Sequence, residues 1–447
     1  MPEAISPERP RSGITRLTGC RLVKENRLVE EDIWLSSVTG KILRSQEVFY
    51  EHQVAPDTVI DLGGRIVSPG FIDVQFNGAY GFDFSQAPQD VSIYMKGLRM
   101  LNKKLVKTGV TSYLPTIISQ KPEVYHKVCI TVSPKPIVQR LKRAFVQALP
   151  FLAPSGQARN PDDGAESLGA HCEGPFLSPT KNGIHNTEVL QDVPDGFADF
   201  ERCYGKENLE AGVIRIVTAA PEVGHTASAI ASITRRNIVF SIGHTEASYE
   251  QAVTAVNAGA TMITHLFNAM KPLHHRNPGI FGILGQAEKH RRPFFGVIAD
   301  GIHLHPTTVK IAWNAHPDGM ILVTDAMSLV GLPDGVHEWT NGDKIVKNGS
   351  SLTLEGTDKI AGSSSTLLEN VSNFLHWSDA SIPEAINAVT STPATLLGLK
   401  HRKGTLEADA DADVLVLHEE ISADGRRDLK VDQVWKFGCL VHDVAGT

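Results

Sequence analysis

The chain has 447 residues, 41% of them hydrophobic and 21% charged, with 43 Lys and Arg against 50 Asp and Glu for a formal net charge of -7. That length suits two or three domains, or one barrel that absorbs most of it; the acidic balance argues against nucleic acid or an anionic membrane surface as partner, since both repel it on average. Five cysteines (Cys20, Cys129, Cys172, Cys203 and Cys439) are odd in number and contain no CxxC pair, which argues against a disulfide framework or zinc knuckle and fits a reducing, cytoplasmic setting.

The first ten residues carry acids and prolines with no apolar stretch, so no secretory signal is expected there. No run approaches the ~18 apolar residues of a membrane span. Residues 14–66 hold short alternating segments such as Gly19–Val23 and Val59–Leu62, separated by turn residues, which predicts strands without helices. Apolar runs bounded by Gly, Pro and polar residues then recur at Ile66–Val74, Val110–Leu114, Leu168–His171, Ile214–Thr218, Ile238–Ile242, Thr261–Thr264, Phe294–Ile298 and Met320–Thr324. Helix-patterned stretches lie between most of them, at Val91–Lys107, Ile137–Leu149, Thr226–Arg235 and Ser248–Ala258. Alternation of eight strands with helices predicts an α/β fold, a (β/α)8 TIM-type barrel.

Residues 405–447 return to the short β pattern, at Ala412–Leu417 and Val434–Val441. The two ends are expected to pair into one small β-sandwich domain, giving limits of 1–67 and 401–447 for that domain and 68–400 for the barrel. Two long connections interrupt the pattern: Ala153–Glu166 is polar and reads as a surface loop, while Gly331–Ala361 follows the last strand, where barrel enzymes place lids.

Five segments cap apolar runs with polar groups: His171-Cys172-Glu173-Gly174-Pro175-Phe176, Gly243-His244-Thr245, Thr264-His265-Leu266-Phe267-Asn268-Ala269-Met270, Ala299-Asp300-Gly301-Ile302-His303 and Thr324-Asp325-Ala326-Met327. Hydrolytic metal sites commonly take two His and one carboxylate and leave a position for water, and Glu173, His244 and His265 supply that set from the ends of strands three, five and six. Singly each has a plainer reading, a structural His or a Glu opening a turn; their shared position favours the metal. Asp325 ends strand eight, where a carboxylate can take a proton from water and return it to a leaving group, or simply cap a helix. Gln75 stands where many such hydrolases carry His-x-His for a second metal, and a neutral amide is a poor substitute, so one metal is expected. Arg276 suits a phosphate or carboxylate grip, against the alternative of a solvated basic loop, and Asn268 and the Ala269 backbone can add donors. His185 and His303 sit in loops after strands three and seven, where an imidazole can polarise a carbonyl or bind an anion. His274, His275 and His305 carry no such positional argument.

On these motifs, and from Pro69-Gly70-Phe71-Ile72-Asp73-Val74-Gln75 to Ala412-Asp413-Val414, the chain resembles the N-acetylglucosamine-6-phosphate deacetylases of the amidohydrolase superfamily. The resemblance implies hydrolysis of N-acetyl-D-glucosamine 6-phosphate to glucosamine 6-phosphate and acetate. It implies one divalent ion per subunit, expected to be zinc, on Glu173, His244 and His265, with Asp325 as the proton carrier. Ile184, His185, Asn268, Ala269, Arg276 and His303 would line the sugar-phosphate site, with Ala361, Gly362 and Ser363 near the sugar. A homodimer is implied, and a neighbouring subunit is one source for Arg276. The alternatives are another amidohydrolase acting on a cyclic amide or N-acyl amino acid, and a catalytically silent scaffold of the same fold.

Overall fold

The computed structural model describes residues 12–51, 53–86, 90–126, 148–155, 160–286, 288, 292–339, 343–423 and 425–446. Its centre is a parallel sheet of eight strands in chain order, Phe71–Phe76, Val110–Ile118, Ala170–Glu173, Ile214–Ala219, Val239–Ile242, Met262–Ile263, Phe294–Val297 and Met320–Leu322. The pair Glu166–Ser167 joins the second strand just ahead of the third. The ring closes at its C-terminal edge, where Asp325 N donates to Gln75 O (2.9 Å) and Asn77 N donates to Ala326 O (2.9 Å). Strands covered on both faces need apolar side chains throughout, and the second is buried at all nine positions.

All eight expected runs supply barrel strands, with one correction. Ile66–Val74 is two strands, Ile66–Pro69 in the small domain and Phe71–Phe76 in the barrel. Gly70 makes the break: its N–H turns away to Asp413 O (2.8 Å), and a Cβ there would lie 2.1 Å from Thr111 Oγ1. Helix Val91–Leu105 is capped by Asp90 and buries Tyr94, Leu98, Leu101 and Leu105, an i, i+4, i+7, i+11 stripe. Thr226–Thr234 and Tyr249–Asn257 are helices as expected, the latter opened by a Ser248 and Gln251 capping box. The predicted helix Ile137–Leu149 lies outside the described residues apart from Ala148 and Leu149, as does Cys129.

The small domain has two sheets. One orders Lys41–Leu43, Ile33–Ser36, Ile14–Thr18 and Thr58–Asp61; the other orders Cys439–Asp443, Arg427–Lys436, Val414–Ile421, Ile66–Pro69, Arg21–Lys24 and Arg27–Glu30. The ends of the chain meet where Ile66–Pro69 pairs with Val414–Leu417. Leu17, Leu22, Ile33, Leu35, Val67, Val414, Val416 and Trp435 form a core separate from the barrel's. Where this domain meets the base of strand three, Lys403 and Lys436 lie among three buried acids. Lys436 Nζ is 2.7 Å from Glu166 and 2.8 Å from Asp413, and Lys403 Nζ contacts Glu166 and stands 2.9 Å from Asp411 and 2.5 Å from Asp413.

Within 331–361, the described residues and the strand that follows build an antiparallel meander, Gly335–Glu338, Lys344–Asn348, Ser351–Leu354 and Ile360–Ser363. A bridge between Ser363 and Ala326 ties it to the end of strand eight. Among the described residues no helix is long and apolar enough to cross a membrane.

Candidate metal centre

Glu173 is the last residue of strand three; His244 stands two residues past Ile242, His265 two past Ile263 and Asp325 three past Leu322, all at the C-terminal face. The backbone turns sharply inward at three of them, with φ of 49° at His244, 27° at His265 and 48° at Asp325. Left-handed backbone at a residue with a Cβ costs of order 1–3 kcal/mol and persists where the surrounding fold imposes it.

Glu173 Oε1 lies 3.1 Å from His244 Nε2 and 3.0 Å from His265 Nε2, and the two Nε2 atoms are 3.0 Å apart. Ligands about 2.0–2.1 Å from a zinc ion at tetrahedral angles stand roughly 3.3 Å from one another. The three donor atoms therefore already surround a point that fits one divalent cation. His244 Nδ1–H donates to Lys181 O (2.7 Å), which leaves Nε2 as the lone-pair donor and fixes the ring. Burial works against charge on Glu173, yet the adjacent His244 and His265 rings hold its carboxyl well below the usual range.

Asp325 is held through one oxygen. Asn77 Nδ2 donates to Oδ1 at 2.7 Å and Gln75 Nε2 at 3.3 Å, and neither bond involves the other oxygen. Burial, with the nearby Glu173 charge, pushes its pKa up to about 6. Gln75 Nε2 also reaches both Glu173 oxygens at 3.2 Å, so the amide nitrogen sits between the two acids.

His185 packs edge-on against His244 with ring centroids 4.5 Å apart. Ser119 N–H donates to its Nδ1 (3.2 Å), so the ring hydrogen is on Nε2. Burial, then His244, pushes its pKa down to about 3, so it is a neutral donor. His303 Nδ1 is 2.7 Å from Asp300 Oδ2, and Asp300 also accepts the N–H groups of Ile302 and His303. Asn268 turns its side chain back to His265 O (3.3 Å), and Ala269 O accepts from Thr245 N (3.0 Å). Ile184 and Ala361 belong to one apolar cluster with Met327, and a Cβ on Gly362 would lie 2.4 Å from Met327 Cγ. Ser363 O accepts from Met327 N (2.9 Å), two residues past Asp325. Arg276 is not drawn into this arrangement: it stands on the exposed segment Lys271–Asn277.

Asn77, Ser119 and Asp300 hold candidate site residues and were not expected from the sequence: they contact Asp325, His185 and His303. Asn77 follows Gln75 by two positions, one past the strand end at Phe76, and Asp300 precedes His303 by three; both spacings were available as signals. Ser119 and the Lys181 carbonyl had none, since only the fold brings them to the site.

The amidohydrolase family model matches residues 66–441. The chain is 40% identical over 430 residues to the N-acetylglucosamine-6-phosphate deacetylase of Danio rerio, covering 95% of this chain and 97% of that one. It is 40% identical over 412 residues to that of Homo sapiens, covering 91% and 92%. A mutant N-acetyl-D-glucosamine-6-phosphate deacetylase from Mycobacterium smegmatis, solved with N-acetyl-D-glucosamine-6-phosphate, superposes with a TM-score of 0.71 at 26% identity, covering 97% of this chain and 100% of that one.

Proposed function

The chain belongs to the amidohydrolase family, among the N-acetylglucosamine-6-phosphate deacetylases, and on that premise we propose that Glu173, His244 and His265 hold one divalent ion and Asp325 carries the proton. The reaction is hydrolysis of N-acetyl-D-glucosamine 6-phosphate to D-glucosamine 6-phosphate and acetate, in amino-sugar catabolism. The observation that carries the assignment of roles is the convergence of one carboxylate oxygen and two imidazole nitrogens within 3.1 Å, beside a carboxylate held by a single oxygen.

When bound, the ion polarises the amide carbonyl and makes water reactive at neutral pH; zinc is the ion we infer. Asp325, with a pKa near 6, is ionised at neutrality and takes the proton of the attacking water. It then returns that proton to the amine nitrogen as the C–N bond breaks and acetate leaves. His185 Nε2–H donates to the carbonyl oxygen as negative charge develops there. Asn77 and Gln75 keep Asp325 from turning toward Glu173. Gln75 accounts for a single ion, because its amide nitrogen already lies against both carboxylates.

For the substrate we infer a phosphate grip by Arg276, from its own chain or across a homodimer, with His303 and Asn268 on the sugar phosphate and the Ile184, Ala361, Gly362 and Ser363 wall beside the sugar. A cytoplasmic enzyme fits the unpaired cysteines Cys20, Cys172, Cys203 and Cys439. Acetate release should be measured with phosphorylated and unphosphorylated N-acetylhexosamines. Arg276→Ala should raise KM for the phosphorylated sugar about tenfold or more and leave the unphosphorylated one unchanged. Equal effects on both would remove Arg276 from the phosphate site. Mixed dimers of Arg276→Ala and Asp325→Asn chains regain activity if the arginine acts across the interface.

A further inference from the structure

One layer inside the strand ends, four buried polar side chains form a chain of their own. His171 Nδ1 is 2.9 Å from Val74 O, and His171 Nε2 is 2.7 Å from Thr218 Oγ1. Thr218 Oγ1 is 2.7 Å from Thr264 Oγ1, which is 2.5 Å from Ser241 Oγ. All four residues have no solvent exposure.

The direction of this chain follows from one fixed end. A carbonyl only accepts, so His171 Nδ1 carries hydrogen, and in the neutral ring Nε2 then accepts. Thr218 therefore donates to His171, Thr264 to Thr218 and Ser241 to Thr264. The result ties together strands one, three, four, five and six. Its members stand immediately before the metal set: His171 two residues ahead of Glu173, Ser241 three ahead of His244 and Thr264 one ahead of His265. Gly243 lets the two threonines pack against strand five, since a Cβ there would lie 2.7 Å from Thr218 Cγ2 and 2.8 Å from Thr264 Cβ.

The two histidine ligands need this layer unequally. His244 has its ring fixed by Lys181 O. His265 Nδ1 is buried without a hydrogen-bond partner, so the aim of that ring depends on its backbone, which Thr264 anchors. We propose that His171, Thr218, Thr264 and Ser241 are positioning residues that set the affinity of the Glu173, His244 and His265 site for its ion. The inference rests on the metal reading above.

The test is retention of zinc against a chromophoric chelator, for the full-length protein and for Thr218→Val, Thr218→Ser, Ser241→Ala and Glu173→Ala. Loss of an outer hydrogen-bond partner of a metal ligand costs about 10–100-fold in affinity. Thr218→Val leaves His171 Nε2 without its donor and the Thr264 hydroxyl without its acceptor and, acting one step beyond a direct partner of a ligand, should fall at the low end of that range, about tenfold. Thr218→Ser keeps the hydroxyl and should return close to the parent, which a purely packing role for the threonine methyl would not give. Ser241→Ala removes only the last donor and should weaken binding by less than Thr218→Val. Zinc held by Thr218→Val as tightly as by the parent, or a Ser variant as weak as the Val variant, overturns the proposal. If Thr218→Val does not fold, an unchanged affinity in Ser241→Ala overturns it instead. A parent that binds no zinc, or a Glu173→Ala variant that binds it like the parent, overturns the metal reading and this proposal with it.

Discussion

Glu166, four residues ahead of strand three, and Glu173, its last residue, are both buried, and each belongs to a set of three groups whose ligand atoms fall within 4.8 Å of one another. At the base of the barrel, Glu166 meets Asp411 and Asp413, and the chain supplies its own cations. Lys403 and Lys436 fill the space between the acids, with their ammonium groups 4.9 and 4.1 Å from the Phe437 ring centroid. At the mouth, Glu173 meets His244 and His265, whose Nε2 atoms offer lone pairs. The difference is the source of the compensating charge. A cluster neutralised by lysine is closed and fastens the small domain to the barrel; one lined by imidazole offers donor atoms that could hold an ion. This matches the division of labour in such barrels, where the N-terminal end stabilises and the C-terminal end reacts.

The largest break in this comparison comes at the mouth. Glu173→Ala should abolish metal retention and lower turnover by several orders of magnitude, while the thermal midpoint of the metal-free protein changes little, as calorimetry would show. Asp325→Asn should keep the ion and bind substrate but lose about 10²–10⁴-fold in kcat, the usual worth of a positioned acid and base; near-normal turnover would remove Asp325 from the proton path.

At the base the effect moves from activity to stability. Lys436→Met leaves buried Glu166 and Asp413 without one partner, and breaking a buried pair from one side costs about 3–5 kcal/mol. Denaturant unfolding should show that loss, with kcat per folded molecule unchanged.

A smaller effect appears in the pH dependence, and its sign differs between two acids. Burial opposes charge on Glu166, but Lys436 and Lys403 bring its pKa down to about 2 from the usual 4.5. Its stabilisation is present above pH 4.5 and is lost as pH falls toward 2. Burial pushes Asp73, bonded to Thr324, up to about 7 from 3.8. Its contribution is full below pH 3.8 and is lost as pH rises through 7. Glu166→Gln should therefore flatten the acid limb of the thermal midpoint against pH, and Asp73→Asn the limb between about 4 and 7.

The barrel was legible because buried parallel strands must be apolar throughout, and each of the eight runs announced itself that way. The run Ile66–Val74 misled for the same reason: both of its strands are buried, and only Gly70 marks the change of sheet. The convergence of Glu173, His244, His265 and Asp325 at the barrel mouth was legible from polar residues ending those runs. Asn77 was signalled only by its spacing from Gln75, and His171 not at all, because a buried His has an ordinary structural reading until distances connect it to Thr218. Lys403 and Lys436 were illegible in principle, since nothing local to residues 403 or 436 points to Glu166 more than two hundred positions earlier.

The central claim is one catalytic ion at the barrel mouth. The direct measurement is a zinc titration of metal-free protein that follows acetate release from N-acetyl-D-glucosamine 6-phosphate and bound metal together. Activity should rise in proportion to bound zinc and level off at about one ion per chain. Full activity in the metal-free protein, or a rise that continues to two ions per chain, would contradict the account.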